Sequence, residues 1–387
     1  MKDWLYIWYN ECKTVLHDKG ILIFIIFVPL AYPLLYSYVY TNEVCRDVPA
    51  VVVDNSNSAL SREFISKVDG TPDVKIIGTY TSVQEAEEQI KQHNAYAIID
   101  IPESFAYDIQ HGDQTKVGLF CDMSAMLYYK AFLLTCTNVS LNMNNDIKVE
   151  RLGAVTTRDE ELTKMPILYE HKPLYNPQQG FAAFLIPPIL MLIIQQTLLL
   201  GIGMEMGNTR EKNMGSVIPF NIHYKRVMPI VWGKAMLYLP LYFVSAIYMV
   251  TFVNSSFRLP TMGNYWTFIA FIIPYLLSCI FFAITLSSLI YRREDCILIF
   301  VFMSVPMVFL SGVSWPRSAM PMFWKVFSDF FPSTLGMNGY IRIMSMGCNL
   351  HDIAPIYIGL WIQVAVYFGA SCLIYYKSIN KMMYGRK

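Results

Sequence analysis

The sequence predicts an α-helical polytopic membrane protein with six transmembrane helices and an external α/β domain inserted between the first and second. Three observations lead there. Six apolar stretches are each long enough to cross a bilayer, a polar interval of strand and helix signals separates the first two, and four clusters of Lys and Arg fall on one side of a six-span arrangement. The 387 residues are 55% hydrophobic and 15% charged, with a mean hydropathy of +0.37, whereas a soluble domain is about 25% charged. The balance of 30 basic and 29 acidic residues offers no general attraction to nucleic acid.

Crossing the hydrocarbon core takes about 20 largely apolar residues. The stretches that qualify are 21–40, 181–204, 235–253, 265–291, 296–313 and 354–376. The first is longer than a signal-peptide core and has no small-x-small cleavage site behind it, so it reads as a retained anchor. None carries Asp, Glu, Lys or Arg in its middle, where a charge would cost about 2.5–3.5 kcal/mol. No intramembrane proton relay is therefore visible.

Orientation follows from the basic residues of the short loops. Lys2, Lys13 and Lys19 precede the first span. Arg210, Lys212, Lys225 and Arg226 follow the second, Arg292 and Arg293 the fourth, and Lys377, Lys381, Arg386 and Lys387 the sixth. That side is the cytoplasm, which places both termini inside a multi-pass protein of the plasma (inner) membrane. Residues 1–20 read as a helix lying in the cytoplasmic interface, with Trp4, Trp8, Cys12, Val15 and Leu16 on the lipid face and Lys2, Asp3, Glu11, Lys13 and Asp18 on the other.

The interval 41–180 has the composition of a water-soluble module. Apolar runs at 48–55, 95–101 and 116–121 read as strands, the second stopped by Pro102, and 58–68 and 82–93 read as helices behind polar caps. A long helix is expected over 125–164, kinked at Gly153 and ended by Pro166. His93, His111 and His171 are isolated, and no nucleophile elbow, HExxH or P-loop occurs in the sequence. No catalytic residue and no metal site is predicted, and recognition or gating suits the module better than catalysis. Of the eight cysteines, Cys45, Cys121, Cys136 and Cys348 fall on the external side, where disulfides are permitted, and no pairing is assigned.

After the fifth span, Phe323, Trp324, Val326, Phe327, Phe330 and Phe331 make an aromatic helix too short to cross, between Pro-rich and Gly-containing breaks. Such breaks are tolerated at membrane depth where protein or a water-filled cavity satisfies the backbone. Residues 314–350 thus read as a re-entrant or interfacial segment.

The arrangement of one span, a large external α/β domain and five further spans resembles the ABC-2 type transporter permeases, the membrane subunits of type 2 ABC exporters. Ile101-Pro102-Glu103-Ser104-Phe105 followed by Gly112 and Asp122 is similar to that family's external-domain pattern, and Tyr175-Asn176-Pro177 running into Phe184-Leu185-Ile186-Pro187 is similar to its entry into the second span. Ser311-Gly312-Val313-Ser314-Trp315-Pro316, Met320-Pro321, Pro332-Ser333-Thr334 and Arg342 follow its order after the fifth span. The resemblance implies gate residues at Ser311, Gly312, Pro316, Pro321, Pro332, Thr334 and Arg342. It implies coupling to an ATPase through the cytoplasmic loop 205–234, at Glu205, Arg210, Glu211, Lys212, Lys225 and Arg226. That loop departs from the family in lacking the acidic residue after Gly-Thr and in its short run before Pro219.

With no P-loop in the sequence, the resemblance further implies a separate ABC ATPase subunit that binds the ATP and Mg, so the chain itself needs no cofactor. It implies a second permease protomer, the same chain or a paralogue, surrounding membrane lipids and an external adaptor as further partners. Aromatic and Met-rich spans suit a hydrophobic or lipid-like cargo, although contact with lipid demands apolar spans whatever the cargo. An ion-coupled secondary transporter and a membrane-anchored sensor are the competing readings. The first calls for ionisable residues inside the spans and the second for an internal output domain.

Overall fold

The structure, a computed structural model, describes residues 2–153, 156–164, 173–177, 179–219 and 221–384. Pro166, His171, Arg386 and Lys387, used in the sequence reading, lie outside the described residues. The chain divides into two compact units, Val44–Lys172 and the combination of Met1–Glu43 with Pro173–Lys387.

The unit Val44–Lys172 is an α/β module. Its strands β1 (Val48–Asp54), β2 (Val74–Tyr80), β3 (Ala97–Ile101) and β4 (Gly118–Cys121) form one sheet in the order β2-β1-β3-β4. β1 is parallel to both neighbours, and β4 runs antiparallel to β3. Successive side chains of a strand point to opposite faces. Ala50, Val52, Ala97 and Ile99 accordingly enter one core with Phe64, Phe105 and Phe132, while Val51, Val53 and Ile98 enter a second with Ala86. Burial on both faces is why β1 and β3 read as unbroken apolar runs.

Helices α3 (Ala59–Asp69), α4 (Val83–Lys91) and α5 (Phe105–His111) connect the strands. Ser58 and Ser61 cap α3 reciprocally at 3.0 Å, and the Asp54 carboxylate accepts from Ser61 Oγ at 2.7 Å, tying the end of β1 to that cap. The long helix expected over 125–164 is two helices, α6 (Met126–Leu152) and α7 (Thr157–Lys164). Gly153 stops the first with φ of +58°, a left-handed conformation that glycine adopts without steric cost, so the chain breaks where a kink was expected.

The other unit is helical. α1 (Lys2–His17) precedes five helices long and apolar enough to cross a membrane among the described residues: α2 (Lys19–Val39), α8 (Phe181–Lys212), α9 (Val227–Ser256), α10 (Tyr265–Ser287) and α14 (Ala354–Lys381). The stretch 296–313, expected as a further span, coincides with α11 (Arg293–Leu310). Its 18 residues open with Arg293, Glu294 and Asp295, so its apolar part is shorter than in the other five.

α8 is apolar all round and buried along most of its length, as a helix enclosed by others must be. α2, α10 and α11 pack against it. α8 continues to Lys212 and α9 starts at Val227, so both ends of the expected loop 205–234 are helical, with a single turn at Ile222–Tyr224 between them. Within 314–350 lie two short helices, α12 (Met322–Ser328) and α13 (Pro332–Tyr340). Pro332 opens α13, where its missing N–H costs nothing, and the helix is buried against α8.

Candidate functional site

Polar side chains gather at the end of the helical unit where α8 stops and α9 begins. Arg210 donates from Nη1 to Ile290 O and from Nη2 to Ser288 O, both at 2.5 Å, and its guanidinium lies 4.7 Å from the centre of the Tyr291 ring. Glu211 accepts from the Arg293 backbone N–H at 3.1 Å, placing a negative charge at the start of α11, where the helix dipole favours one. The end of α8 is thereby fastened to the connection between α10 and α11. Lys212, Lys225 and Arg226 are exposed.

Helix α1 is fastened to the same region. Asp18 pairs with Arg293 through two hydrogen bonds of 2.7 and 2.6 Å and also accepts from Gly20 N and Ile21 N, capping α2. Partial burial works against its charge, but the Arg293 hydrogen bonds prevail and hold the carboxyl below its usual range. The Asp3 carboxylate meets His223 Nδ1 at 2.9 Å, and this hydrogen bond lowers the pKa of Asp3. Asn10 donates to Tyr224 Oη at 3.2 Å.

Beneath these contacts lies a buried ionic cluster. Lys234 Nζ donates to Glu11 Oε1 at 2.7 Å and to Glu205 Oε2. Tyr238 Oη donates to Glu11 Oε1 at 3.2 Å, and Thr209 Oγ1 donates to Glu205 Oε1 at 2.8 Å. Glu11, Glu205 and Lys234 are each 3% exposed. Burial, helped by the neighbouring Glu205 charge and opposed by Lys234, pushes the Glu11 carboxyl up to about 7. A cavity of about 160 Å³ reaches the cluster past Asn10, Thr14, Asn208 and Lys212.

A second polar group sits deeper, around α13. Gln195 Oε1 accepts from Ser333 N at 2.5 Å in the first turn of α13, and its Nε2 lies 3.2 Å from Met307 Sδ on α11. Asn338 donates to Ser311 O at 2.8 Å. Ser311, Pro332 and Thr334 are buried in this group, and Gly312, with φ of +90°, turns the chain as α11 ends. Pro316, Pro321 and Arg342 are exposed, Arg342 on the turn Ile341–Ser345 that continues α13. Beside it, a lateral cavity of about 280 Å³ between α2, α8 and α11 is lined by Phe24, Val28, Leu192, Val305, Gln196 and Thr197, among others. The Oε1 atom of Gln196 has no hydrogen-bond partner among the described residues.

The six residues expected at the coupling loop therefore separate. Arg210 and Glu211 hold neighbouring helices, Lys212, Lys225 and Arg226 face outward, and Glu205 is enclosed. The sequence reading placed Glu11 on the polar face of α1 and missed Lys234 as a site residue. In the structure the face of α1 turned to the bundle is Ile7, Glu11 and Val15, and Leu5, Trp8, Tyr9 and Leu16 are exposed. The spacing of Ile7, Glu11 and Val15 at i, i+4 and i+8 marks one helical stripe, but nothing local announces that its middle member pairs with residues 223 and 227 positions away.

The model of the family described as ABC-2 family transporter protein matches residues 19–373. The chain is also 24% identical over 369 residues to ABC transporter G family member 20 of Dictyostelium discoideum, an alignment covering 91% of this chain and 47% of that protein. The chain thus spans about half the length of this curated relative. A bundle of apolar helices enclosing ionic contacts at one end, with a family match over nearly its whole length, places the chain in the ABC-2 family of transporter proteins as a multi-pass transmembrane component of an ABC transporter.

Proposed function

We propose that this chain is the permease half of an exporter that moves a hydrophobic or lipid-like molecule out of the cytoplasm or the inner leaflet, driven by a separate ABC ATPase. The observation that carries the reading is the lateral cavity between α2, α8 and α11. Its wall is mostly apolar, with Gln196, Thr197 and Ser304 as polar residues among its lining. An amphipathic cargo with one hydroxyl or amine would find its polar partners among these residues while its apolar body covers Phe24, Val28 and Leu192. In this reading α11 is a sixth span, the unit Val44–Lys172 lies outside, both termini are cytoplasmic in the plasma (inner) membrane, and two protomers assemble as a homodimer or with a paralogue. Lys212, Lys225 and Arg226 meet the ATPase, Arg210 and Glu211 pass its motion to α11, and the ordered segment around Ser311, Gly312, Pro332 and Thr334 gates the outer end. Pro316, Pro321 and Arg342 flank that gate. The exposed Leu5, Trp8, Tyr9 and Leu16 of α1 rest in the headgroup layer.

The test has two arms. In a cysteine-depleted chain, a cysteine at Gln114 should react with an impermeant maleimide in intact cells and one at Asn213 should not. In nanodiscs with its ATPase, lipid fractions should stimulate hydrolysis, and Leu192→Trp, which fills the cavity, should abolish the stimulation while sparing basal hydrolysis. Stimulation that Leu192→Trp leaves unchanged removes the cavity from the cargo path.

A further inference from the structure

Two carboxyls and one ammonium share the buried cluster of Glu11, Glu205 and Lys234, each 3% exposed. With all three ionised the cluster carries a net charge of −1. An uncompensated charge removed from water is costly, and proteins escape that cost by shifting protonation. Two carboxyls at one site cannot both ionise freely, and the pair titrates as a unit.

The surroundings offer little to offset the excess charge. From α9 comes Tyr238, whose hydroxyl donates to Glu11, and from α8 comes Thr209, whose hydroxyl donates to Glu205. Tyr224, on the turn before α9, Tyr375, on α14, and Cys12, next to Glu11 on α1, are the further titratable groups close enough to act on the cluster. None of the three can supply a positive charge. Lys212, at the rim of the cavity, is exposed and solvated. Lys234 is thus the one buried cation facing the two carboxyls among the described residues. The cavity that reaches them, about 160 Å³, is far larger than a water molecule needs and is lined by polar side chains, so protons can exchange with solvent.

We propose that Glu11, Glu205 and Lys234 form a proton-binding site in which the two carboxyls share one proton, and that α1 stays clamped to α8 and α9 only while that proton is bound. Its loss leaves a net negative charge between the three helices, and separating α1 from the bundle lets water reach it. This inference concerns the proton alone and stands apart from the reading of cargo and ATPase contacts above.

The test is an infrared difference titration of the full-length chain in lipid nanodiscs, following the carbonyl stretch of a protonated carboxylic acid. The wild-type chain should show such a band in mildly acidic buffer and lose it as the pH passes neutrality. Glu11→Gln and Glu205→Gln should each abolish the band, because Lys234 then neutralises the remaining carboxylate. Lys234→Met should carry the band to higher pH. Amide exchange across α1 should rise in step with loss of the wild-type band. The proposal is overturned by a wild-type chain with no band titrating near neutrality, a measurement that needs no variant, or by a band that survives either glutamine substitution. Unchanged exchange across α1 through the titration overturns the clamp.

Discussion

Asp18 and Arg293, 275 residues apart, meet through two parallel hydrogen bonds of 2.7 and 2.6 Å, joining the start of α2 to the start of α11. Asp18 does a second job, accepting from Gly20 N and Ile21 N as the cap of α2. The two roles can be separated. Arg293→Ala removes the ion pair and should cost about 1 kcal/mol, since the guanidinium is partly exposed and solvent screens it. Asp18→Ala removes the pair and the cap and should cost about 2 kcal/mol. Thermal unfolding of the two variants in the same detergent checks the order. Equal losses would mean that the cap contributes nothing.

The pH dependence of stability should carry opposite signatures from two acids. The Glu11 carboxyl is raised from 4.5 to about 7 in the folded chain, so the folded state binds the extra proton between those values. Its contribution is fully present below pH 4.5 and is lost as pH rises through about 7. Asp18 is held below its ordinary 3.8, so its contribution is present above that value and is lost only as pH falls through the lower range. Melting curves from pH 5 to 8 should therefore slope downward for the wild-type chain, with a shallower slope in Glu11→Gln. Asp18→Asn should leave the slope in that window unchanged.

Gln195 is the acceptor for the Ser333 N–H at the first turn of α13. That donor is buried, and a buried donor deprived of its partner costs about 1–3 kcal/mol. Gln195→Leu, similar in size, should destabilise the chain by about that amount, and Gln195→Glu, compared in buffer acidic enough to keep that buried carboxyl protonated, should restore an acceptor at the same place. If leucine and glutamate variants melt alike, the hydrogen bond does not hold α13 in position.

What the sequence disclosed depended on whether a signal was local. β1 and β3 are buried on both faces, so their apolar runs mark them directly. β2 escaped notice because it is an edge strand whose burial alternates, with Lys75 and Thr79 among its outward positions, and Gly78 interrupts the run. The apolar cores of α2, α8, α9, α10 and α14 were legible from length and hydropathy, but their ends were not. Glu205 and Lys234 flank polar sequence and read as loop charges, whereas each lies inside a helix and is paired with a side chain from another helix. Pairings such as Glu11 with Lys234 belong to tertiary structure, and helical periodicity assigned Glu11 to water because charged residues are seldom buried.

The proposed coupling surface can be tested because the structure separates its charges by what they touch. Lys212, Lys225 and Arg226 are exposed, so reversing each to Glu should leave the melting temperature unchanged. If they meet an ATPase, the triple reversal should weaken its binding at least about tenfold, equivalent to about 1.4 kcal/mol, with stronger effects at low ionic strength. Arg210 behaves differently, since it holds Ser288 O, Ile290 O and the Tyr291 ring. Arg210→Ala should lower the melting temperature and, where the ATPase still binds, reduce cargo-stimulated hydrolysis, because the end of α8 no longer moves α11. The control is removal of charge at Lys381, Arg386 and Lys387, which should do neither. Binding affinity measured on the membrane-embedded chain against the purified ATPase decides the matter. If the triple reversal binds as tightly as the wild type, Lys212, Lys225 and Arg226 are solvated loop charges, and the docking surface lies elsewhere on that end of the bundle.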